Sequence, residues 1–270
     1  MPDHPIRLLV CDIDGTLVRH DKSLPDENVA AVRDLVARGI PVSLISARPP
    51  AGVEGIAHRL GLKGLMGAFN GGTLFERGGR EVASYKVPHA TAQGLLDLFT
   101  QPRVTTWMFA AGFWLTSDPE NPHTPREVVS SGLQPSATRD FTPWLGKVEK
   151  LVAVCDDDPA MDRIEATARD MAGVTATVSR SQDYYLDATA PQANKGEGVS
   201  HIARLLGVPL ESVAVIGDQA NDLSMFRRAG LAIAMGQARP AVQDAAHEVA
   251  ASNEDAGVAD AIARFILPRI

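Results

Sequence analysis

The sequence predicts an α/β protein interrupted by an α+β module, and three observations lead there. Short aliphatic runs alternate with amphipathic helical stretches at both ends of the chain. The middle of the chain breaks that rhythm and holds all three Trp and all three Tyr. Polar groups stand directly after the aliphatic runs, where a parallel sheet offers its ligand-binding edge.

Ile6–Cys11 is an aliphatic run suited to a strand buried on both faces. Asp26–Arg38 places Val29, Val32, Leu35 and Val36 at helical spacing, and Gly39 closes it. Pro41–Ser46 is the next strand, Gly52–Leu60 a helix and Leu65–Phe69 a third strand. This alternation implies a Rossmann-like parallel sheet with helices on both faces. From about Val82 to Asp187 the pieces are strand-like: Thr105–Phe109, Phe113–Thr116, Val148–Val154, Val174–Ser179 and Tyr184–Leu186. Helices over His89–Phe99 and Pro159–Met171 lie among them, and six prolines between Pro102 and Pro143 punctuate the block. After Lys195 the first rhythm returns. Gly196–Leu206, Ala220–Arg228, Pro240–Ala246 and Ala256–Ile266 read as helices, and Ser212–Gly217, Leu231–Met235 and Glu248–Ala251 as strands. Residues 1–81 and 189–270 therefore form one discontinuous domain, and 82–188 an inserted α+β module.

The 270 residues are 45% hydrophobic and 22% charged, an ordinary globular composition. A net charge of -7 disfavours a sequence-independent nucleic-acid binder, which needs a basic face. It leaves room for an anionic substrate held by a local cation or a metal. Cys11 and Cys155 are far apart, and no C-x-x-C or Cys/His cluster suggests zinc or a disulfide framework. No signal peptide and no apolar run of membrane-spanning length, about 20 residues, is visible. The expectation is a cytoplasmic protein, monomeric or homodimeric, with no nucleic-acid or membrane partner.

Asp12 and Asp14 follow the run LLVC. In extended backbone, residues i and i+2 point to one side, so the two carboxylates project together. Either one is protonated or a cation lies between them. Both outcomes suit phosphoryl chemistry: an ionised Asp12 can attack phosphorus, and a protonated Asp14 can supply the leaving group's proton. The plainer alternative is that Asp14-Gly15-Thr16 is only a turn, which leaves Asp12 without a reason. Asp218 follows SVAVIG, and Asn221 and Asp222 come at i+3 and i+4. On one helical turn these oxygen donors suit a hard cation such as Mg²⁺; equally, acidic groups cap helix N-termini. Lys195 sits in the first turn of a helix capped by Asn194, against the dipole. It is either a surface lysine or a cation that holds a phosphate beside Asp12. Ser46 is a strand-end hydroxyl able to bind a phosphoryl oxygen. Arg48 reads as a surface charge or a substrate edge, and Asn70-Gly71-Gly72 as a hairpin turn or a substrate contact. Cys11 alternates away from Asp12 and reads as core.

This set resembles the haloacid dehalogenase superfamily of phosphatases. DIDGT at Asp12–Thr16, Ser46, Lys195 and GDQAND at Gly217–Asp222 look like its four motifs. NGG at Asn70–Gly72, NKGEG at Asn194–Gly198, AGLAIAMGQA at Ala229–Ala238 and SNEDAGVADAI at Ser252–Ile262 resemble its Cof-type branch, which carries a large α+β (type IIB) cap after the third core strand. The resemblance implies Asp12 as nucleophile, Asp14 as general acid/base, and Ser46 and Lys195 as holders of the phosphoryl group. It implies Mg²⁺ on Asp12, the Asp14 carbonyl and Asp218, with Asn221 and Asp222 in support. Thr16, Arg48, Asn70, Gly71, Gly72 and Asn221 become substrate-binding positions, and 82–188 the specificity cap. ISAR at Ile45–Arg48 departs from the family's usual T-G-R but keeps a hydroxyl, and Gln219 replaces a smaller polar residue. The expected function is a Mg²⁺-dependent phosphatase of small phosphomonoesters, sugar phosphates foremost. A phosphomutase of the same superfamily and a non-hydrolytic, Asp-phosphorylated regulatory domain are the alternatives.

Overall fold

A computed structural model describes residues 4–270. The chain divides into two compact units. One comprises the chain up to Ala47, Val53–Val82 and Asn194–Ile270; the other comprises Arg48–Gly52 and Ala83–Ala193.

The first unit is built on a five-stranded parallel sheet in the order Glu248–Val249, Leu231–Ala234, Val213–Gly217, Leu8–Cys11, Val42–Leu44. Leu8, Leu9, Val10 and Cys11 are all fully buried. Successive strand side chains face opposite ways, so this sheet is covered on both faces, as its unbroken aliphatic run requires. Fully burying one such side chain is worth roughly 1.5–3 kcal/mol, so a polar residue within the run would be costly. Helix Asp26–Ala37 opens with Asp26 and Glu27, which suit the positive end of its dipole, and buries Val32 and Leu35. Asn194 caps helix Lys195–Leu205, its side chain accepting from the Glu197 N–H.

Two expectations for this unit change. Leu65–Phe69 shortens to the strand Met66–Ala68, which joins the parallel sheet through a parallel Ile45–Gly67 bridge, the Ser46 N–H donating to the Gly67 carbonyl. It also leads a three-stranded sheet with Thr73–Glu76 and Arg80–Ser84. The hairpin forms on its other edge, where Ala68 pairs antiparallel with Thr73 across the tight turn containing Asn70-Gly71-Gly72. Ala220–Arg228 is not one α-helix but a 3-10 turn, Ala220–Asp222, followed by Leu223–Phe226.

In the second unit a six-stranded sheet runs Thr177–Gln182, Tyr185–Thr189, Val148–Val154, Thr105–Ala110, Phe113–Thr116, Pro135–Ala137. All neighbours are antiparallel except the last pair. Helices His89–Phe99 and Asp158–Ala172 share a core with Met108, Leu115, Leu151 and Leu186. Residues of opposite parity, Trp107, Trp114, Tyr185 and Asp187, therefore lie on the sheet's other face. Helix Thr124–Ser131 and the edge strand Pro135–Ala137 were not anticipated. Their prolines, at the first turn of the helix and the start of an edge strand, stand where proline does no damage. Expected strand Val174–Ser179 moves on to Thr177–Gln182. No helix among the described residues is long and apolar enough to cross a membrane.

Candidate active site

Asp12 leaves the strand Leu8–Cys11 with its N–H donating to the Ile216 carbonyl at 3.0 Å, so it still belongs to the ladder with Val213–Gly217. That register sets it beside Asp218, the residue after the neighbouring strand. Gly15 turns the chain back with φ +80°, and a Cβ there would lie 2.3 Å from Asp218 Oδ2. Both the conformation and the space therefore require glycine. Thr16 Oγ1 donates to Asp218 Oδ1 at 2.9 Å, and Gln219 Nε2 donates to Asp218 Oδ2 at 2.9 Å. The Asp218 carboxylate is thus held at both oxygens.

Lys195 is fully buried. Its ammonium donates to Asp12 Oδ1 at 2.6 Å and to Asp222 Oδ1 at 2.5 Å. The other oxygen of Asp222 accepts the N–H groups of Asp218 and Gln219, each at 2.8 Å. Asp222 therefore does the capping that its position suggested, and orients Lys195 as well.

Carboxylate oxygens of Asp12, Asp218 and Asp222 all lie within 4.8 Å of one another. When all three carboxylates are ionised, they leave a surplus of two negative charges over the one ammonium in a buried place. Burial pushes the Asp12 carboxyl up to about 8, Asp222 and Asp218 adding to the rise and Lys195 opposing it. Burial and Asp222 also raise Asp218, against the hydrogen bonds from Thr16 and Gln219. Burial works against the Lys195 ammonium, but Asp12 and Asp222 outweigh it and hold its pKa above the ordinary lysine value. An all-oxygen donor set short of two positive charges fits a hard divalent cation. Asp12 and Asp218 fit best as its ligands, because Asp222 already accepts three hydrogen bonds.

Asp14 is half-buried and receives Lys22 Nζ on Oδ1 at 2.6 Å. With side chains 26% and 34% exposed, this pair is worth at most about 1 kcal/mol. Lys22 adopts φ +68° to make it, a left-handed conformation that costs a non-glycine residue roughly 1–2 kcal/mol. Ser46 is buried, its N–H donating to Gly67 and its carbonyl accepting from the Asn70 N–H at 2.7 Å. Asn70 has φ +57°, and Asn221 Nδ2 donates to its Oδ1 at 3.2 Å. A Cβ on Gly71 would lie 2.7 Å from the Gly198 Cα, so this turn packs directly on the Lys195 helix. Asn221 itself is exposed and stands outside the buried carboxylate cluster. Arg48 belongs to the second unit, where Nη1 donates to the Gly52 carbonyl at 3.4 Å. Cys11 is core, its thiol pushed up by burial.

Nothing in the local sequence singles out Lys22. Nor does it reveal the brace on the Asp14–Thr16 turn: Gln237 Nε2 donates to the Gly15 carbonyl at 2.6 Å and Gln237 Oε1 accepts the Asn253 N–H. Both bracing residues lie in stretches whose only sequence signal is the family resemblance, AGLAIAMGQA and SNEDAGVADAI.

A family model of haloacid dehalogenase-like hydrolases matches residues 9–262. The chain belongs to that family. It is 25% identical to the 5-amino-6-(5-phospho-D-ribitylamino)uracil phosphatase YcsE of Bacillus subtilis, covering 98% of each chain. It is also 25% identical to phosphatase YwpJ of the same organism, over 94% of this chain and 98% of that one. Among solved structures, a haloacid dehalogenase-like hydrolase from Bacteroides thetaiotaomicron superposes with a TM-score of 0.89, 26% identity and 96% and 99% coverage. The subclass IIB sugar phosphatase BT4131 shares the fold, with a TM-score of 0.82 at 21% identity over 96% and 98% of the chains. Relatives matched from end to end and named as phosphatases set the chain on the Cof-type phosphatase branch of the family.

Proposed function

We propose that this chain is a Mg²⁺-dependent phosphatase of small phosphomonoesters, and that it works through phosphorylation of Asp12. One observation carries the reading: Asp12 stands at the end of a central parallel strand, in a buried carboxylate cluster whose charge falls short by a divalent cation. Asp12 and Asp218, with the Asp14 carbonyl, would hold Mg²⁺, which when bound offsets the charge of the phosphoryl oxygens and the carboxylates. Asp12 attacks phosphorus as the bond to the leaving oxygen breaks, and Asp14 gives that oxygen its proton. Asp14, now a carboxylate, takes a proton from water; the hydroxide adds to phosphorus and the bond to Asp12 breaks. Phosphate leaves, and both aspartates return to their starting states. Lys195 keeps one Asp12 oxygen fixed throughout and, with the Ser46 hydroxyl, binds the phosphoryl oxygens. Asp222 is a positioning residue that holds Lys195.

The named activities of the relatives favour a phosphorylated sugar or polyol as substrate, with the residues from Ala83 to Ala193 acting as a specificity cap. The test is inorganic phosphate release from sugar phosphates and an aryl phosphate, with Mg²⁺ and with chelator. Release that needs the metal and falls by about 10⁴-fold or more in Asp12→Asn supports the mechanism. Near-normal turnover in that variant removes it, and isomer conversion without phosphate release would favour a mutase.

A further inference from the structure

The segment after Asp14 is built to deliver one side chain. Residues Arg19–Lys22 form a tight turn, with the Lys22 N–H donating to the Arg19 carbonyl at 3.0 Å. The turn is tied from outside: the His20 N–H donates to Glu254 Oε1 at 2.8 Å, and Asn253 Nδ2 donates to the Val18 carbonyl at 3.0 Å. Lys22 is held in the left-handed region, and its ammonium reaches back eight residues to Asp14 Oδ1. The pair is too exposed, and its backbone too strained, for stability to be the reason for it. Strain fixed by surrounding bonds at a charged side chain points instead to a role in chemistry.

We propose that Lys22 is a positioning residue for Asp14. Its ammonium occupies Oδ1, so the proton that Asp14 gives up is confined to Oδ2, and the carboxyl cannot rotate away between the two half-reactions. The inference rests on Asp14 being the acid and base of the proposed mechanism. In the first half-reaction the Oδ2 proton passes to the leaving oxygen as the P–O bond breaks; in the second, Oδ2 receives a proton from the attacking water.

The test uses leaving-group dependence. An alkyl phosphate needs its leaving oxygen protonated, whereas 4-nitrophenyl phosphate releases a stable anion. With Mg²⁺ present, kcat/KM would be measured on glycerol phosphate and on 4-nitrophenyl phosphate for the wild type, Lys22→Met, Lys22→Arg and Asp14→Asn. Lys22→Met should lower kcat/KM on the alkyl substrate by about 10- to 100-fold and on the aryl substrate by less than about threefold. Lys22→Arg should restore most of the loss, and the unfolding midpoint should not move. An equal fall on both substrates, or no fall on either, would overturn the assignment of Lys22. If Asp14→Asn showed no leaving-group selectivity, the acid/base reading of Asp14 would fail instead. Selectivity in Asp14→Asn without it in Lys22→Met would remove the Lys22 role alone.

Discussion

At the carboxyl ends of the parallel strands, Asp12, Thr16, Lys195, Asp218 and Asp222 are buried and bonded to one another or to their own loops. On the face of the six-stranded sheet opposite helices His89–Phe99 and Asp158–Ala172, Trp107 Nε1, Trp114 Nε1, Tyr185 OH and Asp187 Oδ1 are buried with no hydrogen-bond partner among the described residues. Trp107 packs edge-on against Trp114, 5.0 Å between centroids, and 5.1 Å from Tyr185. Ring packing holds most of this face together, and the Asp187 carboxylate has Lys150 Nζ 3.9 Å from its other oxygen. A charge needs a partner where a hydroxyl or an indole N–H can go without one, since an isolated ion costs far more to bury; Asp187 accordingly keeps Lys150 near it. The first region is therefore an interdependent network, whereas in the second an unpartnered polar atom such as the Tyr185 hydroxyl can be removed without stranding another group.

The largest effect expected from that contrast is at Lys195. Lys195→Met keeps the stem and removes the ammonium, leaving Asp12 and Asp222 facing each other in a buried place. Breaking a buried pair in this way costs about 3–5 kcal/mol, and activity should be lost with it. Thermal unfolding with chelator should show a clear drop, partly recovered by added Mg²⁺. A variant as stable as the wild type, with or without metal, would mean that the network is not interdependent.

How much of this was legible in the sequence follows the same division. Asp12, Asp14, Asp218 and Lys195 stood out because a carboxylate after a buried strand, or a lysine at a helix N-terminus, breaks a local rule. The parallel sheet was legible in its unbroken aliphatic runs. Lys22 was not, because nothing local distinguishes one lysine in a polar loop; only the turn tied to Asn253 and Glu254 gives it direction. For Asp222 the sequence allows metal ligation or capping; the structure shows the capping with one oxygen, and the other oxygen accepts from Lys195, a partner 27 residues away that local pattern does not reveal. The unpartnered Trp, Tyr and Asp atoms could not be read either, since composition shows an aromatic-rich strand block but not what faces each ring nitrogen. The third strand is legible as a strand, but its hairpin with Thr73–Glu76 on one edge is not, because local pattern does not show which neighbour each edge takes; the other edge keeps a parallel bridge to Ile45.

A middle-sized effect concerns pH. Asp12, at about 8, and Asp218 both lie above the ordinary carboxylate value of about 4 in the folded, metal-free protein. Between roughly pH 4 and pH 8 the folded state therefore holds more protons than the unfolded one, and stability falls as pH rises. Unfolding midpoints in chelator should decline from pH 5 to pH 8, and Asp12→Asn should flatten the decline. Added Mg²⁺ should flatten it too, since a bound cation favours the ionised carboxylates. A profile with the same slope in wild type and variant would show that the Asp12 carboxyl titrates in its ordinary range.

The smallest effect belongs to the aromatic face and carries the opposite sign. Burial raises the Tyr185 hydroxyl's pKa well above the ordinary tyrosine value, so it is a neutral, desolvated group. A buried hydroxyl without a partner forfeits about 1–3 kcal/mol of solvation. Tyr185→Phe removes that group and keeps the ring against Trp107, at the cost of a void about the size of one oxygen atom. Stability should stay level or rise by up to about 1 kcal/mol, read as the denaturant midpoint with the slope unchanged. A loss of about 1 kcal/mol or more would show that the hydroxyl is hydrogen-bonded in solution. The two regions would then follow one rule, with water supplying in the aromatic face what Lys195 supplies among the carboxylates.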